Sequence, residues 1–211
     1  MQVSNLREQT LAIVRQSLVA GEYRPGDIIS AAAMASRLNV SNSPVREAML
    51  ELVSQGILEV VRNRGFRVLP MSDHDLDEVY EVRLWLEARA MRELAARKIN
   101  VESSRPLAQL TIEKARAEEI PEFLDADRSF HLGLLAHLDN TRLSRIVENM
   151  RDQTRLYGIH ALAAAGKLVQ TSEEHLEIVD AINSGDPDAA EAAMTRHLAH
   201  IRSDWSSGIA Q

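Results

Sequence analysis

The chain has 211 residues, 45% of them hydrophobic, enough for one large core or two modest ones. It has no cysteine, which excludes a disulfide framework and a thiolate metal site. The formal net charge of −7 argues against nucleic acid at first sight, but residues 1–70 carry eight arginines, no lysine and six acidic groups, a local +2. Phosphate affinity depends on local basic contacts rather than on the total. The remainder carries −9 and all seven histidines, so two domains with separate tasks are expected, 1–70 and 71–211. No apolar run reaches the length of a membrane span and the N-terminus has no signal-peptide segment. The expectation is a soluble cytoplasmic protein with no membrane partner.

The apolar period predicts an amphipathic helix from Leu6 to Ala20, with Leu6, Thr10, Ile13, Val14 and Leu18 on one face. Asn5 is its expected cap and Gly21 its expected end. Tyr23-Arg24-Pro25-Gly26-Asp27 is a turn, and Ile28-Ile29 fits a short strand that pairs with a later hairpin. Ser30 caps a helix through Leu38, and Asn39-Val40 forms the turn after it.

The next helix begins in Ser41-Asn42-Ser43-Pro44-Val45-Arg46. Ser41 or Ser43 can cap it, and Pro44 suits the first helical position. Val45, Met49, Leu52 and Val53 recur at helical spacing, and Gly56 ends the run. Ser41, Asn42, Ser43 and Arg46 sit at the positive end of that helix, where phosphate oxygens are favoured. Two β-like runs follow, Ile57–Val61 and Phe66–Leu69, joined by the basic tip Arg62-Asn63-Arg64-Gly65. Taken singly, these are a capped core helix and an ordinary hairpin. Taken in order, they read as a winged helix-turn-helix with a basic tip; on the hypothesis of a DNA-binding regulator, Arg46, Asn42 and Ser43 are expected to face a major groove and Arg64 and Gly65 to approach a minor groove.

After Pro70 the chain reads as six helices: 73–98 opened by Ser72, about 104–117, Pro121 to about His137, 141–164, 171–183, and 187 to about Trp205. The fold expected is mainly α: a winged helix-turn-helix plus a six-helix antiparallel bundle. Thr171 with Glu174 reads as a capping box, and Ser184-Gly185-Asp186-Pro187 as stop, cap and restart. Asp127 and His131 lie four apart on one helix, so both leave the same face. His175 and His197 lie on two others, among Phe123, Phe130, Leu134, Ile178 and Leu198. Three imidazoles and a carboxylate suit a divalent metal such as zinc, nickel or manganese. The plainer reading is that these are packed core residues, with Asp127 and His131 a stabilising i,i+4 pair. His74, His137, His160 and His200 read as surface or packing residues, His200 also as an outer partner of His197.

The chain resembles GntR-type bacterial transcription regulators with an FCD effector domain, of the FadR subfamily. Matching residues in the first part are Pro25-Gly26, Val40-Ser41, Pro44-Val45-Arg46-Glu47-Ala48 and Asn63-Arg64-Gly65-Phe66-Arg67-Val68. In the second part they are Tyr80-Glu81-Val82-Arg83-Leu84 with Glu87, Asp127 with Phe130-His131, Glu174-His175, Ala181-Ile182, Gly185-Asp186 and His197. Six effector helices look like the VanR-type branch.

The resemblance implies a homodimer on a short inverted repeat of double-stranded DNA and a metal held by Asp127, His131, His175 and His197. It also implies a small effector, often a carboxylate, bound beside the metal. Arg83 is then either a carboxylate partner or a structural ion pair with Glu87. Asn42 stands where the family usually has Arg, so the operator is expected to differ from the family's usual one. The reading from another class is a metalloenzyme domain, or a metal sensor, fused to a DNA-binding module. No general base stands out for the enzyme, because Glu174 adjoins His175 and leaves the helix about 100° away from it.

Overall fold

A computed structural model describes the backbone of residues 2–19, 22–164 and 166–205, and the side chains of 9–15, 17–18, 22–154 and 166–202. The chain divides into two compact units, Met1–Met71 and Ser72–Gln211.

The first unit runs α1 (Gln2–Val19), β1 (Ile28–Ile29), α2 (Ala31–Leu38), α3 (Asn42–Ser54), β2 (Leu58–Val61) and β3 (Gly65–Val68). The strands form an antiparallel sheet in the order β1-β3-β2, with Ile28 opposite Arg67 and Val60 opposite Phe66. The pairing expected for Ile28-Ile29 is therefore present. Ser30 accepts from Ala33 N and starts α2. Asn39, at φ 52, ends it: its own N–H returns to Ser36 O and that of Val40 to Ala35 O. Gly56, at φ 73, ends α3 the same way, with Gly56 N on Val53 O and Ile57 N on Leu52 O. Val45, Met49, Leu52, Met34, Ile29, Phe66 and Val68 close the core, which helices α1 and α2 share with α3.

Three local expectations change. Helix α1 starts at Gln2, so Asn5 lies inside it rather than capping it; Gly21 and Ala20, and the side chain of Leu6, lie outside the described residues. The buried face of α1 is Thr10, Leu11, Val14, Ser17 and Leu18, while Ile13 is exposed. At 100° per residue, Leu11 and Leu18 fall within about 60° of Val14 and Ile13 falls about 100° away. Ser41 is the N-cap of α3 but makes no side-chain cap bond, and Ser43 Oγ instead donates to Glu47 Oε1 at 3.2 Å. Pro44 is the third helical residue, still in the turn whose N–H groups have no helical partner.

Gly65 combines φ +134 with a position where an added Cβ would collide with the Ile29 carbonyl. Its absent side chain lets β3 approach β1, a reason internal to the sheet. Gly65→Ala is expected to cost at least about 1–3 kcal/mol, read as a lower urea midpoint with an unchanged m-value.

The second unit starts with α4 (Asp73–Arg83), which continues through a π-helical turn (Leu84–Ala88) into α5 (Arg89–Ala96). Ser72 and Asp75 form a reciprocal capping box at its start. Then follow α6 (Arg105–Arg116), α7 (Ile120–Ala136), α8 (Thr141–Ala164), α9 (Leu168–Asn183) and α10 (Pro187–Trp205). Counting α4, the π turn and α5 as one rod, six helices form the bundle among the described residues. Asp186 Oδ1 accepts from Asp188 N and Ala189 N to restart the chain as α10. The Thr171 capping box is not formed: α9 begins at Leu168, and buried Thr171 donates back to Lys167 O at 3.1 Å. Met91, Leu94, Phe130, Leu134, Val147, Ile178, Ile182, Met194 and Leu198 fill the interior. None of the described helices is long and apolar enough to cross a membrane.

Candidate functional site

Helix α7 presents Asp127 and His131 one turn apart, α9 presents His175, and α10 presents His197. All four are buried, and one ligand atom from each of the three imidazoles lies within 4.8 Å of the others. His131 Nε2 is 3.2 Å from His175 Nε2. Asp127 Oδ1 stands 3.6 Å from the former and 3.5 Å from the latter. Phe130 packs on the His175 ring at 4.5 Å between centroids and closes that side. The structure thus brings all four expected ligand residues to one place.

The surrounding hydrogen bonds fix which ring nitrogens carry protons. Thr111 Oγ1 donates its only proton to Ala108 O, so at 2.9 Å it must accept from His175 Nδ1. His197 Nδ1 donates to the Glu174 carboxylate at 2.9 Å. In the neutral rings these bonds leave Nε2 as the nitrogen turned inward, and His197 Nε2 is buried with no partner. His131 Nδ1 also lacks a hydrogen bond and faces Glu87 Oε2 at 3.5 Å. One proton can lie between His131 and His175, but His197 Nε2 has no partner among the described residues.

Burial, aided by the Arg151 charge, pushes His131 down to about 3. Burial, with His197 and His131 adding to it, holds His175 well below the usual imidazole range. Neutral imidazoles with lone pairs turned inward are what a divalent cation needs. In a four-coordinate site with metal–nitrogen bonds of about 2.0–2.1 Å, ligand atoms stand about 3.3 Å apart. The donor set fits such an ion.

Beside it runs a buried ionic chain. Arg83 Nε donates to Glu87 Oε1 at 2.6 Å, Arg151 Nη1 to Glu87 Oε2 at 3.0 Å, and Arg151 Nη2 to Asp127 Oδ2 at 2.6 Å. Burial alone would raise Glu87, but the Arg83 and Arg151 charges outweigh it and hold the carboxyl well below its ordinary value. The ion pair that sequence offered as one role of Arg83 is present. Its Nη2 is nevertheless buried without a partner, so the second role keeps a free donor.

Sequence reading missed Arg151, Thr111 and the role of Glu174. The first two carried a signal: Val147, Arg151 and Thr154, and likewise Ala108, Thr111 and Ala115, mark buried stripes that each contain a polar residue. Glu174 was expected to point away from the site. It reaches across to α10 and holds both His197 and the exposed His200, so its carboxylate orients His197 and is not poised as a general base. His74 and His137 are exposed, and the side chain of His160 lies outside the described residues.

In the first unit, Ser41, Asn42, Ser43 and Arg46 are exposed together at the start of α3. Pro44 is buried among core residues, so it shapes the turn rather than offering atoms to a duplex. Arg62, Asn63 and Arg64 are exposed at the tip between β2 and β3, where Asn63 adopts φ 60. Arg67 is held by Glu59 at 2.6 Å across the two strands.

Comparison with known proteins gives these features a context. Residues 6–68 match the "bacterial regulatory proteins, gntR family" and residues 78–200 match the "FCD domain". The chain is 30% identical over 199 residues to the probable D-xylose utilization operon transcriptional repressor of Paenarthrobacter nicotinovorans, covering 93% of this chain and 87% of that one. It is 27% identical to the HTH-type transcriptional repressor RspR of Escherichia coli K12, covering 96% and 94%. Among solved structures, E. coli McbR/YncC superposes with a TM-score of 0.82 at 22% identity, covering 95% of this chain and 97% of that one, which shows a shared fold. The chain belongs to the gntR family of bacterial transcription regulators and carries an FCD domain as its C-terminal part.

Proposed function

We propose that this regulator is a ligand-responsive repressor that binds an inverted-repeat operator as a homodimer. Its effector is a small carboxylate bound beside a divalent metal. Residues 1–70 grip the duplex: Arg46, Asn42 and Ser43 read base edges in the major groove, Ser41 and the first-turn N–H groups of α3 hold phosphate, and the Arg64–Gly65 tip approaches the minor groove. Asn42 favours adenine or phosphate where a family arginine would take guanine. Pro44 sets the backbone that presents these groups. Residues 71–211 bind the effector and dimerise, and the six-helix count supports the VanR-type branch of the FadR subfamily. The repressor sense follows the two named relatives.

Asp127, His131, His175 and His197 would hold zinc, nickel or manganese, and such an ion supplies a positive, Lewis-acidic seat for a carboxylate oxygen. Thr111 and Glu174 fix the ring tautomers for it. Arg83 offers the effector its free Nη2 while Glu87 keeps the guanidinium in place. The observation that carries the reading is two buried polar atoms without a hydrogen-bond partner among the described residues, His197 Nε2 in the imidazole cluster and Arg83 Nη2 in the adjoining ionic chain, in a chain of this family. A ligand shifts operator affinity only by favouring one dimer geometry over another.

The test is fluorescence anisotropy of the full-length protein on the DNA upstream of its own coding sequence. It is run with chelator, with metal alone, and with metal plus a panel of small carboxylates. A change that needs both metal and a carboxylate supports the reading. A change with metal alone makes the metal itself the signal, and no change in any arm overturns effector control.

A further inference from the structure

We infer that Arg151 is the positioning residue of the metal centre, holding Asp127 so that only Oδ1 faces the imidazoles and tying it through Glu87 to the turn that carries Arg83. This rests on the metal reading above, and concerns a residue that itself faces no ligand role in that reading.

The reasoning starts from Asp127. A carboxylate on a helix rotates freely about its last side-chain bond, so lying one turn before His131 does not decide which oxygen it offers, or whether it offers both. Here the choice is made by the neighbour on α8. Arg151 Nη2 takes Oδ2 at 2.6 Å, leaving Oδ1 at 3.5 and 3.6 Å from two imidazole nitrogens. The same guanidinium gives Nη1 to Glu87 Oε2 at 3.0 Å. One planar fork thus holds two carboxylates from two different helices, which a lysine ammonium cannot do with the same fixed directions.

Burial makes the arrangement decisive. Arg151 is 3% exposed, Glu87 1% and Asp127 8%, so water cannot replace either bond. The neighbouring pair of Arg128 with Glu148 is about one-third exposed and can be resolvated. The charges of Arg83, Arg151, Glu87 and Asp127 also cancel, so the buried ionic chain carries no net charge into the interior. Through Glu87, whose other oxygen holds Arg83 Nε at 2.6 Å, Arg151 links the metal ligand to the effector contact. The π-helical turn that begins beside Arg83 contains Glu87, so a displaced Asp127 is felt there.

The probe is cobalt(II), titrated into the metal-stripped full-length protein, with affinity read by chelator competition and coordination read from visible absorption. Arg151→Met is expected to weaken cobalt binding by about 10–100-fold and to change the absorption in the same way as Asp127→Ala. Arg151→Lys is expected to recover part of the affinity. Because Arg151→Met leaves two buried carboxylates with one cation, it is accompanied by the charge-matched pair Arg151→Met with Glu87→Gln. That pair is expected to remain folded and still to bind cobalt weakly. Combining Arg151→Met with Asp127→Ala is expected to add little beyond Asp127→Ala alone. Wild-type affinity and spectrum in the charge-matched pair, or additive losses in the Asp127 combination, would overturn the inference while leaving the metal reading intact. A wild-type protein that takes up no cobalt removes the metal reading, and this inference with it.

Discussion

Arg46→Ala is expected to abolish specific operator binding while leaving the fold untouched. Arg46 is exposed in the second turn of α3 and makes no hydrogen bond or ion pair among the described residues. Its removal therefore costs little stability, within about 0.5 kcal/mol for a surface site. On DNA the balance reverses. A bidentate guanidinium contact contributes about 1–3 kcal/mol of discrimination, and a dimer loses it in both half-sites. A combined loss of about 2–6 kcal/mol corresponds to roughly 30- to 20,000-fold in affinity. The phosphate contacts proposed for Ser41 and the first-turn N–H groups, and the proposed minor-groove approach of Arg64, are untouched, so weak, salt-sensitive, sequence-independent binding is expected to remain. Footprinting of the variant on its operator checks this, and an unchanged footprint is incompatible with the role given to Arg46.

The second large effect concerns metal. Replacing His175 and His197 together by Ala removes two of the three imidazoles, from α9 and α10, and leaves Asp127 and His131 on α7 alone. Elemental analysis is expected to find about one divalent ion per chain in the metal-loaded wild type and none in the double variant. A thermal readout separates binding from folding: an ion at about 100 times its dissociation constant stabilises the native state by about 2.7 kcal/mol. The wild-type melting temperature should rise with added zinc, and that of the variant should not move. Full metal occupancy in the double variant would refute the ligand assignment. The variant has a compensation of its own, since it removes the buried His197 Nε2, which has no hydrogen-bond partner.

Local chemistry made much of this legible in the sequence. Ser30 and Ser72 open helices, Gly56 and Gly185 close them, and Ile28-Ile29 pairs with the hairpin, because caps, left-handed turns and short apolar runs act within a few residues. Asp127 and His131 share a face by helical spacing alone. Arg151 and Thr111 reveal their roles only when helices meet, at sequence separations of 24 and 64 residues from Asp127 and His175. The same holds for Glu174, whose reach to His197 spans 23 residues and could not be read from its helical angle to His175.

The Thr171 pattern shows the opposite failure. A hydroxyl residue three before a glutamate matches a capping box, yet inside a helix the same hydroxyl bonds back to the carbonyl four residues earlier. The π-helical turn has no composition that marks it, and the reason for Gly65 is a carbonyl on a strand more than thirty residues away in sequence.

Everything regulatory depends on the small arginine surplus of residues 1–70 gripping a duplex despite the acidic remainder. The direct measurement is a binding titration of the purified full-length protein on its own upstream DNA at low ionic strength, repeated with a scrambled duplex and at rising salt. The expected result is saturable binding that prefers the native sequence over the scrambled one and weakens steadily as salt rises. Equal affinity for both duplexes, or no binding at any salt with and without metal and carboxylates, would contradict it.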